Sequence, residues 1–212
     1  MKEKEEERLN NLKKYEENLY NEGLKYICGI DEAGRGPLAG PVVVGAVVMP
    51  RDSKLEFMND SKKVTAKRRD ILYDEIKETA LAYGIGIISQ EEIDEINILN
   101  ATKKGLHEAL RQVIEKLKTK PDIVIVDALR EIDTFGITYE SIIKGDATCY
   151  SISAASILAK VTRDRIMEEW DKIYPEYGFK THKGYGTAKH IAAIKQYGPC
   201  PLHRKSFITH FI

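Results

Sequence analysis

Residues 26–49 contain two apolar segments separated by a glycine-rich loop, and this stretch limits the possible folds more than any other. Both segments, 26–30 and 42–49, have the apolar composition of strands, and the second is rich in β-branched residues. Two adjacent carboxylates, Asp31 and Glu32, follow the first segment directly. We therefore expect a sheet with acidic side chains at the end of one strand.

The loop after these carboxylates carries Arg35 between Gly34 and Gly36. Successive side chains on a strand point to opposite faces, so Asp31 and Glu32 serve one site only if the chain leaves strand geometry between them. Glycine permits such a bend. A tight hairpin with an exposed acidic pair is the alternative. An arginine whose glycine neighbours leave the backbone amides open to a ligand favours a binding or catalytic site.

Residues 34–39 also satisfy the glycine pattern of dinucleotide-binding folds. That pattern requires a helix directly after the glycines, whereas Gly40 and Pro41 interrupt the chain here and 42–49 is a predicted strand. Two carboxylates beside a pyrophosphate would repel it unless metal ions intervened. The match is therefore interpreted as accidental.

Hydrophobic periodicity predicts further helices and strands along the chain, so the sequence by itself indicates an α/β fold. A charged amphipathic helix is expected at 1–22, and the rest of the chain, 23–212, is expected to form a single domain. The other predicted helices cover 65–80, two segments after Ser89, 148–173 and 187–197, and the other predicted strands cover 81–88, 122–127 and 137–144.

Two more carboxylates lie near the ends of predicted strands. Asp127 ends the strand at 122–127, and Asp146 follows the strand at 137–144. If the first of these strands runs parallel to and beside 26–30, Asp127 and Asp31 emerge at the same edge of the sheet, where ligands bind in open α/β sheets. Asp146 considered alone is equally explained as a helix cap.

The charge distribution limits how this chain can bind nucleic acid. The 33 basic and 33 acidic residues cancel, so a nucleic-acid footprint must be a local patch. Residues 177–212 are a candidate for such a patch, because they contain six Lys or Arg and four His but no Asp or Glu. Three scattered cysteines indicate reduced thiols, and the longest apolar run is too short for a membrane helix, so we expect a cytoplasmic protein without a membrane partner.

Residues 29–41, Gly-Ile-Asp-Glu-Ala-Gly-Arg-Gly-Pro-Leu-Ala-Gly-Pro, resemble the signature of bacterial ribonuclease HII, the type 2 ribonuclease H that cuts RNA within RNA:DNA duplexes. The Gly-Arg-Gly loop differs from that of the sister type, ribonuclease HIII. Together the similar segments span roughly residues 25–208 in the family's order, much more than a short motif match. Further similar segments are 60–63, 126–127, 144–146, 153–160, 182–186 and 203–207.

The resemblance implies a ribonuclease H-like fold, in which a five-stranded mixed sheet is flanked by helices, with a C-terminal helical segment. It also implies that four carboxylates hold two Mg²⁺ or Mn²⁺ ions, one activating water and the other stabilising the leaving 3′-oxygen. Oxygen ligands and the lack of a His or Cys cluster in the sequence agree with these metals. The implied catalytic and metal-binding residues are Asp31, Glu32, Asp127 and Asp146.

Substrate contacts are implied in the same way. Gly34, Arg35, Gly36 and Tyr185 match the residues that read the junction between a ribonucleotide and the next deoxynucleotide. Lys62, Lys160 and Lys183 are candidates for phosphate contacts. Outside this resemblance, Tyr185 would be interpreted as a packing or surface tyrosine and each lysine as a solvated side chain.

The expected function is that of a monomeric endonuclease acting on nucleic acid. It would hydrolyse the RNA strand of RNA:DNA hybrids and cut 5′ of single ribonucleotides embedded in duplex DNA, leaving 5′-phosphate and 3′-hydroxyl ends. Its expected roles are ribonucleotide removal from DNA and primer removal during replication. The alternatives are a metal nuclease of the same fold without ribonucleotide selectivity and a non-catalytic hybrid-binding module.

Overall fold

A five-stranded mixed sheet forms the centre of the protein, whose computed structural model describes residues 2–210. The order across the sheet is β3-β2-β1-β4-β5. β2 pairs antiparallel with both β1 and β3, whereas β4 runs parallel to β1 and β5. The predicted mixed sheet is confirmed. The strands are β1 (Ile27–Ala33), β2 (Val42–Val48), β3 (Ala82–Ile88), β4 (Ile123–Asp127) and β5 (Tyr139–Ile142).

Helices flank the sheet and form the C-terminal segment. Thr65 and Ser89 cap two of them, since their side-chain oxygens accept the backbone N–H groups of Arg68 and Glu92. The helices are α1 (Lys2–Asn21), α2 (Ala66–Thr79), α3 (Gln90–Leu117), α4 (Gly145–Thr148), α5 (Tyr150–Ile173), α6 (Phe179–His182), α7 (Ala188–Tyr197) and α8 (Lys205–Ile208), with a 3-10 turn at Pro175–Tyr177. Within residues 2–210, no helix has both the length and the apolar character needed to cross a membrane.

Helix α5 lies directly on one face of the sheet because two strand residues have no side chain. An ideal Cβ on Gly29 of β1 would lie 2.6 Å from the Cβ of Ser151, and one on Gly45 of β2 would lie 2.5 Å from the carbonyl oxygen of Ala155. Small residues on both elements therefore let helix and sheet approach closely. Helix α3 covers the opposite face, so the central strands are buried on both sides, as their apolar sequences predict.

The charged helix α1 contributes to the core. Leu9 and Leu12 pack with α2 and α5, and Leu19 packs with β1 and β4. Glu16 is almost fully buried and accepts hydrogen bonds from the backbone N–H of Ser151 at 2.7 Å and from its hydroxyl at 2.6 Å. The hydrophobic core thus continues across the domain boundary predicted at residue 22.

Two element boundaries differ from the sequence predictions in ways that affect the site. The helix predicted at 148–173 is divided, because Cys149 adopts an extended conformation (φ −126°, ψ 130°) that separates α4 from α5. The fifth strand is shorter than predicted and ends at Ile142. These changes place Asp146 in the first turn of the short helix α4, one residue after Gly145.

Candidate active site

Four carboxylates predicted as metal ligands come from three neighbouring elements. Asp31 and Glu32 lie near the end of β1, Asp127 is the last residue of β4, and Asp146 is in α4. β1 and β4 are adjacent and parallel, with Ile30 opposite Val126. The predicted arrangement of these two strands is confirmed, and it places Asp31 and Asp127 at one edge of the sheet.

The prediction that the chain leaves strand geometry between Asp31 and Glu32 is wrong. β1 continues through Ala33, and both carboxylate residues pair with β2. The side chains therefore leave opposite faces of the strand. Asp31 lies on the same face of the strand as Gly29 and so faces α5, and its Oδ1 atom accepts the backbone N–H of Glu32 at 2.8 Å. The pairing of β1 with β4 stops at Ile30, so Glu32 lies beyond the end of β4 and is not separated from Asp127 by a neighbouring strand.

Burial makes negative charge costly at this edge. It raises the pKa of Asp31 well above its usual range, and the charges of Glu32 and Asp127 add to the effect. Burial also raises the pKa of Glu32, where Arg35 opposes the shift and Asp127 adds to it. The pKa of Asp127 is raised by burial and by the charge of Asp146. The four carboxylates therefore influence one another, and a bound cation would relieve this repulsion.

Each carboxylate has a partner within the protein. Asp127 accepts the backbone N–H of Gly145 at 2.8 Å, Lys62 Nζ lies 3.5 Å from Asp146 Oδ2, and Arg35 Nη1 lies 3.5 Å from Glu32 Oε1. In residues 2–210, no three Asp, Glu, His or Cys side chains converge closely enough to hold one ion. Four carboxylates are nevertheless a donor set suited to Mg²⁺ or Mn²⁺, and binding would require Lys62 and Arg35 to release their carboxylates.

An open depression of about 480 Å³ gives access to two of the carboxylates, Asp127 and Asp146. Lys62 and Lys144 line it, and so does Ile143, whose side chain is exposed. The depression is thus acidic at its base and basic at its rim. A phosphate backbone could approach the carboxylates here without meeting a uniformly negative surface.

A buried arginine fixes the glycine-rich loop. Arg204 donates hydrogen bonds to the backbone carbonyls of Gly34 at 2.6 Å, Arg35 at 3.0 Å and Gly40 at 2.9 Å. Its guanidinium is fully buried, and burial lowers its pKa to about 9. Arg204 belongs to the family-like segment 203–207, but nothing in that segment's sequence indicates that it holds the loop.

A second buried arginine joins the loop to the segment that carries Tyr185. Arg163 donates to the carbonyls of Pro41 at 2.9 Å and Ala39 at 3.1 Å, and also to that of Lys183 at 2.9 Å. Burial lowers its pKa to about 10. Sequence reasoning missed Arg163 entirely, because nothing in a helical pattern shows that an arginine donates only to distant carbonyls.

Tyr185 lies beside the glycine-rich loop, although 149 residues separate it from Gly36 in sequence. The ring is about half exposed, and its Cε1 atom would be 3.9 Å from a Cβ placed on Gly36. The backbone N–H of Leu38 donates to the carbonyl of Gly184 at 2.8 Å and holds the two segments together. The structure therefore brings together Gly34, Gly36 and Tyr185, three of the predicted substrate-reading residues.

The other predicted substrate-binding residues, Arg35 and three lysines, do not all lie near the carboxylates. The side chain of Arg35 is 46% exposed and points towards Glu32, and Lys62 is beside Asp146. Lys160 is paired with Asp164 at 2.8 Å on its own helix. Lys183 is largely buried and pairs with Glu168 at 2.7 Å. Of the three lysines, Lys62 is therefore the one whose ammonium group is both exposed and next to the carboxylates.

Comparison with known proteins decides the family. The family model of ribonuclease HII matches residues 28–210. A ribonuclease HII from Acetivibrio thermocellus is 57% identical over 198 residues, which cover 93% of this chain and 75% of that protein. The chain belongs to the ribonuclease HII family. Its activity is accordingly that of a ribonuclease H, an endonuclease that degrades the RNA of RNA:DNA hybrids.

Other relatives support the same family and fold. A ribonuclease HII from Clostridioides difficile is 55% identical over 209 residues, covering 99% of this chain and 80% of that protein. The ribonuclease H2 structure from Pyrococcus horikoshii matches with a TM-score of 0.68 and 29% identity, covering 85% of this chain and 93% of that one. Ribonuclease HII of Archaeoglobus fulgidus, solved in complex with PCNA, matches with a TM-score of 0.72 and 27% identity, covering 87% and 96%. Ribonucleases H depend on divalent metal ions and act on nucleic acid.

Proposed function

We propose that this member of the ribonuclease HII family cuts the phosphodiester bond 5′ of a single ribonucleotide embedded in duplex DNA, as well as the RNA strand of hybrids. The observation that carries the proposal is the position of the loop at Gly34–Gly36, which directly follows the carboxylates of β1 and has Tyr185 beside it. A ribonucleotide differs from a deoxynucleotide by its 2′-hydroxyl, so a selective enzyme must contact that group next to the scissile phosphate.

The loop is suited to this contact because its backbone is both accessible and fixed. Gly36 has no side chain to keep a sugar away, and Arg204 holds the neighbouring carbonyls of Gly34 and Arg35 in place. The exposed ring of Tyr185 provides a flat apolar surface next to Gly36. A rigid site that hydrogen-bonds a substrate hydroxyl can reject the analogue that lacks it by about 10⁴ to 10⁵.

The carboxylates of Asp31, Glu32, Asp127 and Asp146 would hold two Mg²⁺ or Mn²⁺ ions. When bound, such ions supply a nucleophilic water and neutralise charge on the leaving 3′-oxygen. The protein contributes the orientation of these ligands. The backbone N–H of Glu32 donates to the carboxylate of Asp31, and the backbone N–H of Gly145 donates to that of Asp127. Cleavage would leave a 5′-phosphate and a 3′-hydroxyl.

Phosphate binding is assigned first to Lys62, whose exposed ammonium group lies at the rim of the depression. Lys160 and Lys183 could contribute only after leaving Asp164 and Glu168. The proposed biological roles are the removal of ribonucleotides from DNA and of RNA primers during replication, carried out by a monomer in the cytoplasm.

Cleavage of an end-labelled DNA duplex with one ribonucleotide, with and without Mg²⁺, tests the proposal. We expect a metal-dependent cut 5′ of the ribonucleotide by the wild-type protein. Asp127→Asn should abolish the cut but retain binding to the duplex, because most affinity comes from basic groups near phosphates. The exposed Asp133→Asn is the matched control and should behave as wild type. Metal-dependent cutting of all-DNA duplexes would indicate a non-selective nuclease, and binding without any cutting a non-catalytic module.

A further inference from the structure

Two histidines lie behind the segment that carries Tyr185 and have no solvent-accessible path to a substrate. His190, in α7, is 0% exposed, and His203, just before α8, is 3% exposed. Their Nε2 atoms are 3.0 Å apart. The other ring nitrogen of His190, Nδ1, lies 2.9 Å from the backbone carbonyl oxygen of Tyr185. A continuous chain of hydrogen bonds thus ends on the main chain of Tyr185.

The backbone groups at the two ends of this chain determine where each proton lies. At one end, the carbonyl oxygen of Tyr185 can only accept, so Nδ1 of His190 carries a proton and donates to it. Nε2 of a neutral His190 is then an acceptor, and Nε2 of His203 donates to it. Nδ1 of a neutral His203 is left as an acceptor for the backbone N–H of Cys200 at 3.0 Å, and the carbonyl oxygen of Cys200 lies 3.2 Å from the same nitrogen.

The surroundings of the two rings favour this neutral state. Burial lowers the pKa of His190 to about 4, and nearby His182 and His203 lower it further, although the bond to the carbonyl of Tyr185 opposes the shift. Burial also lowers the pKa of His203. His182 stacks on His190 with ring centroids 4.4 Å apart. A proton added to His190 would place two N–H groups opposite each other between the two Nε2 atoms.

We propose that His203 and His190 are positioning residues that hold the Tyr185 ring against Gly36 and thereby set selectivity for single ribonucleotides. The inference rests on the proposed reading role of Tyr185. His190 contacts the main chain of Tyr185 directly, and His203 orients His190. Because the segment is anchored from behind, the exposed ring can meet a sugar without first losing the conformational freedom of a mobile loop.

The test measures a selectivity ratio, defined as kcat/KM for a single-ribonucleotide duplex divided by kcat/KM for a long RNA:DNA hybrid. His190→Phe keeps a ring of similar size but cannot donate to the carbonyl of Tyr185, and we expect the ratio to fall about tenfold. In a Tyr185→Ala background the same change should lower the ratio no further, because both changes act on one contact. The matched control is His107→Phe, which changes a half-buried histidine of α3 and should leave the ratio unchanged.

His190→Asn provides the rescue. Its side-chain amide can donate from nearly the position of Nδ1, so it should retain more of the selectivity ratio than His190→Phe, although its smaller volume lowers Tm. A role limited to packing predicts the opposite order. Hydrogen exchange of the amides at 184–187 gives a readout independent of substrate, and we expect faster exchange in His190→Phe.

Three results would overturn the inference: unchanged exchange at 184–187, a fall in kcat/KM that is equal for both substrates, or an effect of His190→Phe that persists fully in the Tyr185→Ala background. The proposed function fails in a different way. If Tyr185→Ala itself leaves the ratio unchanged, Tyr185 does not read the ribonucleotide. If Tyr185→Ala lowers the ratio and His190→Phe does not, only the positioning role is wrong.

Discussion

Gly36→Ala should impair substrate binding without destabilising the fold, because the structure has room for the added methyl group. The ideal Cβ position is 3.9 Å from Cε1 of Tyr185, an ordinary van der Waals distance, and within 4 Å it meets no other described atom outside the adjacent chain. The backbone of Gly36 is not in the left-handed region. Replacing glycine by alanine at a compatible position stabilises a protein by about 0.4–1 kcal/mol. We therefore expect a Tm equal to or slightly above that of the wild type.

Cleavage should nevertheless be impaired, since the methyl group occupies the surface where the ribose must approach the loop. If one hydrogen bond to the substrate is lost and a polar group is left unpaired, stabilisation of the transition state falls by roughly 1–3 kcal/mol. This corresponds to a roughly 5- to 150-fold lower kcat/KM on a single-ribonucleotide duplex. The assay is steady-state cleavage of that duplex in Mg²⁺, with thermal melting of the same preparations.

Gly34→Ala is the contrasting variant. Its Cβ would lie 2.5 Å from Cδ of Arg163 and 2.7 Å from the carbonyl oxygen of Pro41, at a φ of +99°. It should therefore lower both Tm and activity. The reasoning is refuted if Gly36→Ala cleaves the single-ribonucleotide duplex at the wild-type rate, or if it loses as much thermal stability as Gly34→Ala.

Three further changes test other parts of the structure. Lys62→Met should weaken duplex binding and reduce the slope of log affinity against log salt by about 1 in magnitude, and an unchanged slope would remove Lys62 from the phosphate contacts. The pKa of Glu16 is raised from about 4.5 by burial, so the folded state binds this proton more tightly and loses stability as the pH rises through the raised pKa. The side chain of Glu16→Gln cannot ionise, so the Tm of this variant minus that of the wild type should increase between pH 4.5 and 7. A Tm difference that does not change with pH would contradict the assignment. Deleting residues 1–21 removes four buried apolar side chains of α1, worth about 6–12 kcal/mol, which is comparable to the whole stability of a domain, so circular dichroism should show an unfolded protein.

The parts of the fold that depend on local pattern could be predicted from the sequence. Thr65 and Ser89 have the side chains and spacing of helix caps, and the structure uses both in that role. The apolar strand ending at Asp127 is buried, as its composition indicated, and it meets the condition set from the sequence, since it lies parallel to and beside the strand that carries Asp31. The strand pattern placed Asp31, Glu32 and Asp127 at strand ends, whereas the substrate-binding candidates, such as Tyr185, came from family-like motifs and not from periodicity.

Features that depend on long-range contacts could not be predicted. Asp31 and Glu32 remain in a continuous strand because β1 stays paired with β2 through Ala33, whereas its pairing with β4 stops at Ile30. These strand lengths are set by tertiary pairing. Arg163 has all its observed bonds to carbonyls at least 20 residues away. Lys183 was predicted to contact phosphate from its motif, yet its ammonium group is engaged by Glu168, whose proximity only the folded chain reveals.

The proposed reading of the 2′-hydroxyl is tested by the ratio of cleavage rates for two duplexes of identical sequence, one with a single ribonucleotide and one all-deoxy, measured in Mg²⁺. If the loop at Gly34–Gly36 and Tyr185 read this hydroxyl as proposed, the ratio for the wild-type protein should be at least about 10⁴. Tyr185→Ala should then severely slow cleavage of the first duplex. Similar rates on both duplexes, or a ratio that a well-folded Tyr185→Ala protein leaves unchanged, would contradict the proposed reading.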